Sequence, residues 1–332
     1  MPDYEKTKMV LGDVWHIVLL IVLVGIVLGV ITWVGLIRCN SLPGWCEIYD
    51  PIYLSLTGKR EILIVHGDDG IGDPQLLAAK LRDPKLVGVV ADITHISRIR
   101  QGNLQSYDLV IVEKAKTMST EQLKYFIDFV DAGGKLIWTG DAGTKLSSDD
   151  ELLFKDDLDV NAAHNALGPW ARKQGKNTVR FDSVISVQYK GSYCEIKGCS
   201  GEIPIGLLQP ETTGNHQLIY GMAENQQLYA GTYLGQDSVA RQLDFAIVEE
   251  PESIGSKRIL TLDYATQFKD KNGKELGRYF PIIVTGGLGE KVAYFAQPPE
   301  LFLGTYWNYE TGKNEIGPMN LLIANLYKFY RK

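Results

Sequence analysis

The chain has 332 residues, with 34 Lys and Arg against 40 Asp and Glu, for a formal net charge of -6. Apolar residues at 45 % and charged residues at 22 % exclude a globally disordered chain, and a pI near 5.5 without a Lys/Arg block argues against a nucleic-acid binder. Four cysteines in this length do not make a disulfide-dense mini-scaffold.

The first element is a membrane segment. Val14 to Ile37 is a run of 24 residues without a formally charged side chain, bracketed by Asp13 and Arg38, with His16 its one ionisable group. At about 1.5 Å rise per residue such a helix spans roughly 36 Å, enough for a hydrocarbon core of about 30 Å. Trp15 and Trp33 lie near its ends, as interfacial aromatics do. A buried core helix of this length would carry a polar stripe. A cleaved signal would end in a small-x-small pair, which the exit from Val34 to Cys39 lacks. The expectation is a cytoplasmic tail over 1–13 and an uncleaved signal anchor over 14–37, with the lipid bilayer as partner. Gly25 and Gly29 form a G-x-x-x-G, which admits helix packing but also the ordinary abundance of glycine in membrane helices.

Orientation rests on the cysteines. Lys6 and Lys8 before the helix nearly balance Arg38, Lys59 and Arg60 after it. Cys39, Cys46, Cys194 and Cys199 all lie beyond it, as two closely spaced pairs. Two small disulfide loops would place the body in an oxidising, extracytoplasmic compartment. A four-cysteine zinc site is the rival reading, at spacings wider than the usual knuckle.

After a linker over 38–58, Glu61 to His66 is a short apolar run entering the turn Gly67 to Gly70, a buried strand. Asp73-Pro74 opens a helix with Leu76, Leu77 and Leu81 on one face. Leu86 to Ile96 reads as a second strand and Leu109 to Val112 as a third. Ser119 to Gln122 starts a helix continued by Leu123, Phe126, Ile127 and Val130, ended by Gly133-Gly134. Lys135 to Thr139 is a fourth strand, closed by Gly140 to Gly143. Strands alternating with amphipathic helices predict an α/β fold, a flavodoxin-like parallel sheet sandwiched by helices.

Residues 145–180 are polar and read as helical in part. Ser183 to Gln188, Gln217 to Tyr220, Leu228 to Tyr233, Ala240 to Val248 and Arg258 to Ala265 read as short mixed or antiparallel strands. Pro281 to Thr285 and Lys291 to Phe295 form a hairpin pattern, and Met319 to Tyr330 an amphipathic helix. The body thus divides into a first core part over 59–150, a β-rich insertion over 151–275, and a return with a C-terminal helix over 276–332.

Three stretches carry a resemblance: Ile62 to His66 with the helix and strand after it; Tyr107 to Val112 followed by Glu121 to Val130 and Gly133 to Gly140; and Pro281 to Phe295 with its final helix. Together they resemble the class I glutamine-amidotransferase-like superfamily, closest to its ThuA-like, non-amidotransferase branch. The resemblance implies a nucleophilic cysteine on the turn after a central strand and a late His-x-Glu pair. The matching turn, Gly140 to Gly143, has no cysteine; the matching late stretch, Ala296 to Glu300, has a glutamate but no histidine. Glutamine hydrolysis by that route then has no nucleophile.

Open parallel sheets bind ligands beyond the carboxyl ends of their strands. The turns converging there carry His66, Asp68, Asp69 and Asp73, then Glu113 and Lys114, then Asp141, with Glu300 nearby. Such an acidic cluster suits a hard cation bound by oxygens, whereas turn formation and helix capping account for the same aspartates structurally. The chain has no H-E-x-x-H, G-x-S-x-G elbow or Walker A motif. No cofactor is called for. The expectation is a membrane-anchored, extracytoplasmic, non-catalytic binding or assembly module that meets an envelope or membrane protein, or a second copy of itself. The alternative is an anchored hydrolase or carbohydrate-active domain using Asp68, Asp69, Asp141 and Glu300 as acid and base.

Overall fold

The computed structural model describes residues 3–33, 45, 48–49, 52, 60–148, 150, 168–174, 177–211, 216–223, 226–235, 237–250, 255–270, 272–287, 289–304, 306–308, 313–315 and 317–331. Helix α1, Asp3–Trp33, contains the window Trp15–Thr32 with mean hydropathy 2.7 and only 6 % of it buried. By length and composition it can cross a membrane, and a signal sequence satisfies the same criteria. A Cβ at Gly25 or Gly29 would meet nothing within 4 Å. Cys39 and Cys46 fall outside the described residues.

The body begins with β1, Arg60–His66, α2, Pro74–Arg82, β2, Asp92–His95, the single turn α3, Gln101–Leu104, then β3, Tyr107–Glu113, α4, Thr120–Asp131, and β4, Lys135–Thr139. Each start follows from its residues. Asp73 caps α2 by accepting from the Leu76 N–H at 3.0 Å, with Pro74 at the first helical position. Ser119 and Gln122 close a reciprocal capping box on α4, which buries Leu123, Phe126 and Phe129. At the turn into β4 a Cβ on Gly134 would sit 2.4 Å from the Phe129 ring, so glycine lets the chain pass under that ring.

The chain continues through α5, Phe181–Ile185, β5, Gln188–Ser192, α6, Tyr193–Lys197, β6, Ile203–Pro210, β7, Gln226–Leu234, β8, Ala240–Leu243, β9, Ala246–Glu249, β10, Lys257–Lys269, β11, Glu275–Gly286, β12, Val292–Phe295, and α7, Pro318–Arg331. Ten strands form one sheet in the order β8-β7-β6-β10-β11-β12-β4-β3-β1-β2. β2, β1, β3, β4 and β12 are parallel, the doubly wound order 2-1-3-4-5, with Ile64 opposite Ile111 and Ile137 opposite Ala293. From β12 outward every pairing is antiparallel. The sheet expected to be parallel is therefore parallel in one half only; β6, β7, β8 and β10 extend it. α2 packs against α7, while α3 and α5 pack against α4, as right-handed crossovers on two faces require. Ile62 to Val65, Leu109 to Val112 and Leu136 to Trp138 are consequently buried in unbroken runs.

Five expectations are corrected. The apolar run 86–91 precedes the second strand instead of belonging to it: Leu86 and Val87 N–H groups turn back to the Asp83 carbonyl, and Gly88 at φ +75° redirects the chain. Val87 and Val89 are buried there without a ladder. Residues 181–185 are helix α5, stopped by Ser186 in the left-handed region. Gln217–Ile219 is a 3-10 turn capped by the His216 ring. Residues 240–248 hold two strands, β8 in the large sheet and β9 paired with β5, parted at Asp244. In the polar stretch 145–180, Ala171–Gln174 and Asn177–Arg180 form a hairpin where helix was expected.

Candidate functional site

A cleft of about 720 Å³ opens beyond the carboxyl ends of the parallel strands. Its near wall is the loop 69–73 after β1, Lys114 and Lys116 after β3, and Asp141 after β4; its far wall is Ser192 and Glu195 around α6 with 239–244 at β8. It lies at the point where strand order reverses between β1 and β3.

The near wall is tightly built. Gly70 and Gly72 take φ +112° and +139°, and a Cβ on Gly70 would stand 2.9 Å from Asp141 Oδ1. Asp69 accepts from the Thr117 N–H at 3.1 Å and the Thr117 hydroxyl at 2.7 Å, with Lys145 at 4.0 Å. Burial works to raise its pKa, but those two hydrogen bonds and Lys145 outweigh it and hold the carboxyl below its ordinary value. The Lys114 N–H donates to the Ile71 carbonyl at 2.9 Å, with Lys114 itself at φ +50°. Behind the turn 140–143 the Trp138 and Trp170 indoles both donate to the Ala142 carbonyl. The fully buried Arg172 donates to the carbonyls of Met118, Gly143 and Pro169.

Across the cleft, Lys116 bridges the walls. Its ammonium lies 3.2 Å from Asp141 Oδ2 and hydrogen-bonds Glu195. Burial would lower its pKa, yet the Glu195 hydrogen bond and the Asp141 charge raise it. Asp141 also accepts from the Ile71 N–H at 2.8 Å, and burial nevertheless leaves its pKa raised. Arg241 on β8 makes the second bridge, 2.6 Å to Asp73 Oδ2, while also pairing with Asp237. Asp244 accepts from the Cys194 and Phe245 N–H groups, and burial lifts its pKa to about 6. The disulfide Cys194–Cys199 closes the α6 loop, with Cα atoms 5.0 Å apart.

Of the residues singled out in the sequence, Asp69, Asp73, Lys114 and Asp141 line the cleft. Glu113 and Glu300 are buried beneath it at 0 and 1 % exposure. His66 and Asp68 stand apart from its lining: the His66 ring packs edge-on against His95, which contacts Asp68 at 3.4 Å. Lys116, Glu195, Arg241 and Asp244 were missed. Lys116 sat two residues beyond Lys114, within reach of the same argument; the other three come from β-rich chain far away in sequence. Among the described residues no three His, Cys, Asp or Glu side chains come together so as to hold a metal ion.

No family model and no curated protein sequence matches the chain. Among solved structures it is similar to a ThuA-like protein from Bacteroides uniformis ATCC 8492, at 14 % identity over 81 % of this chain and 90 % of that one, with a TM-score of 0.48. It is also similar to a β-galactosidase from Rahnella sp. R3, at 13 % identity over 86 % of this chain, with a TM-score of 0.41. Agd3, a carbohydrate deacetylase, is a third, at 9 % identity over 72 % of this chain and 29 % of that one, with a TM-score of 0.37. The chain spans about a third (33 %) of that β-galactosidase.

Proposed function

We propose that the chain is a membrane-tethered, extracytoplasmic binding or assembly module built on a flavodoxin-like, amidotransferase-like core that has no catalytic role. One observation carries the reading: the charged side chains at the strand ends are engaged with one another and with the backbone. Asp141 is held by Ile71 and Lys116, Lys116 by Glu195, Asp69 by Thr117, and Asp73 by Arg241. Among the described residues no hydroxyl or thiol on the turn after β4 is poised against a base, which nucleophilic catalysis requires. A cleft lined this way is pre-ordered, which favours recognition of a ligand or a partner segment. The Cys194–Cys199 disulfide and the apolar α1 support a body held outside the cytoplasm, against the bilayer, where envelope or membrane partners are met at high effective concentration.

The test uses the full chain in lipid nanodiscs, presented with ester, amide and glycoside substrates with and without divalent cations. The expected result is no turnover above that of an Asp141→Asn variant. Turnover lost in Asp141→Asn would establish the anchored hydrolase or carbohydrate-active alternative. Protease protection in intact cells and spheroplasts tests the topology: digestion of the body in spheroplasts supports the placement, and protection there overturns it.

A further inference from the structure

Beneath the near wall lies a pair of carboxyl groups that the cleft does not use. Glu113 ends β3 and Glu300 sits in the turn after β12, at 0 and 1 % exposure. The two carboxyl groups lie under the same step of chain, Glu113 against Gly72 and Glu300 against the Asp73 N–H, close enough to act on each other. Three of their four oxygens, Glu113 Oε1 and Oε2 and Glu300 Oε2, receive no donor from the described residues. The fourth, Glu300 Oε1, accepts from the Asp73 N–H at 2.9 Å. Two ionised carboxylates offer only acceptors and would repel each other in a buried, donor-poor place, so the pair holds a proton on one of them.

The pair is fastened to the loop that walls the cleft. A Cβ on Gly72 would stand 3.1 Å from Glu113 Cβ and 3.2 Å from its Oε2, so the loop lies directly on the Glu113 side chain. Asp73, bonded through its N–H to Glu300, caps α2 and receives Arg241 from the far wall. We propose that Glu113 and Glu300 form a one-proton carboxyl latch holding the loop 67–73 on the strand ends, and that loss of the shared proton releases that wall of the cleft. The charges facing the pair are Asp73 from the start of α2, which adds to the repulsion, and Lys114 from the end of β3, which opposes it at Glu113. α7, packed on the 299–301 turn, has no ionisable side chain before Tyr327. Burial raises both acids, Glu300 to about 7 and Glu113 well above the ordinary range, which puts release on the alkaline side of neutrality.

The full chain in nanodiscs is followed by hydrogen exchange at pH 6 and pH 9, corrected for intrinsic amide rates. Protection of peptides spanning 67–77 is expected to fall at least tenfold at pH 9, with the α4 peptides unchanged. In Glu300→Gln the amide supplies a permanent donor to Glu113, and loop protection is expected to be the same at both pH values. Equal wild-type protection at both pH values, or the same alkaline loss in Glu300→Gln, overturns the latch. Should Glu300→Gln fail to fold, the infrared spectrum of the wild-type chain decides: a protonated-carboxyl band persisting at pH 7 and titrating away by pH 9 supports the proposal, and its absence at pH 7 overturns it.

Discussion

The parallel and antiparallel halves of the sheet divide the work differently. In the parallel half the strand interiors are almost wholly apolar, and charge is confined to the turns where β1, β3 and β4 end. The antiparallel half has strands that run past the core. β10 and β11 extend into an arm whose aromatic cluster, Tyr264, Phe268 and Phe280, packs on Tyr193 of α6. The first half supplies the floor and near wall; the second supplies the far wall through α6 and β8. The division matters because a ligand that inserts between the walls competes with their mutual ion pairs but leaves the floor untouched.

The largest effect is expected behind the floor. Arg172 is fully buried, donates to the carbonyls of Met118 after β3, Gly143 after β4 and Pro169, and lies 3.7 Å from Asp150. Arg172→Met strands those carbonyls and one buried carboxylate, and should cost about 3–5 kcal/mol. Thermal unfolding of the full chain in detergent checks it; a loss under about 1 kcal/mol would mean that the two halves are not organised around this residue.

Acidity comes next. Glu113, Glu300, Asp141 and Asp244 all have pKa values raised in the folded state by burial. The folded chain therefore holds more protons than the unfolded one, so their stabilisation is complete below the unfolded values near 4 and is lost as pH rises through about 6 for Asp244 and about 7 for Glu300. Asp69, Glu195 and Glu290 have lowered values and lose their contribution as pH falls below the same range. Unfolding temperature measured against pH should peak near 5 and decline towards 8, by an amount on the order of 2 kcal/mol for each strongly shifted group. Glu300→Gln should flatten the alkaline limb; a profile rising from pH 5 to 8 would contradict the burial of these acids.

The sequence was legible where burial and local chemistry agree. Ile62 to Val65 is apolar throughout because both faces of β1 are covered, and Ser119 with Gln122 marks α4 because those two side chains satisfy its first N–H groups. It was misleading at 86–91 and 217–220, where apolar residues are buried in turns and no strand partner is present to make a ladder. Half of the cleft was legible, since strand-end turns are readable from strand positions. The other half was not: Glu195, Arg241 and Asp244 reach the cleft only because β12 pairs with β4 and brings the antiparallel half alongside. Glu113 shows the opposite failure, a strand-end acid whose side chain turns inward under Gly72.

A third, smaller effect separates the far wall from the floor. The Cys194–Cys199 loop is short, so losing its bridge in a Cys194→Ser, Cys199→Ser chain should cost about 2 kcal/mol by chain entropy. Hydrogen exchange should rise at α6 and around Asp244, whose carboxylate accepts the Cys194 N–H, and stay constant in β1 and β3. Uniform loss of protection across both halves would show that the walls unfold as one unit.

The smallest effect is the most direct measure of how the halves communicate. Lys116 and Glu195 meet across the cleft at 22 and 49 % side-chain exposure, so solvent screens the pair. A double-mutant cycle with Lys116→Met and Glu195→Gln should return a coupling below about 1 kcal/mol, shrinking as salt is added. Lys116→Met alone should cost more than Glu195→Gln alone, because among the described residues it leaves the buried Asp141 side chain with the Ile71 N–H but no cation, whereas Glu195→Gln leaves Lys116 paired to Asp141. That asymmetry places Asp141 with the floor and Glu195 with the far wall. Equal single-mutant costs, or a salt-independent coupling above about 2 kcal/mol, would instead mean that Glu195 belongs energetically with the floor.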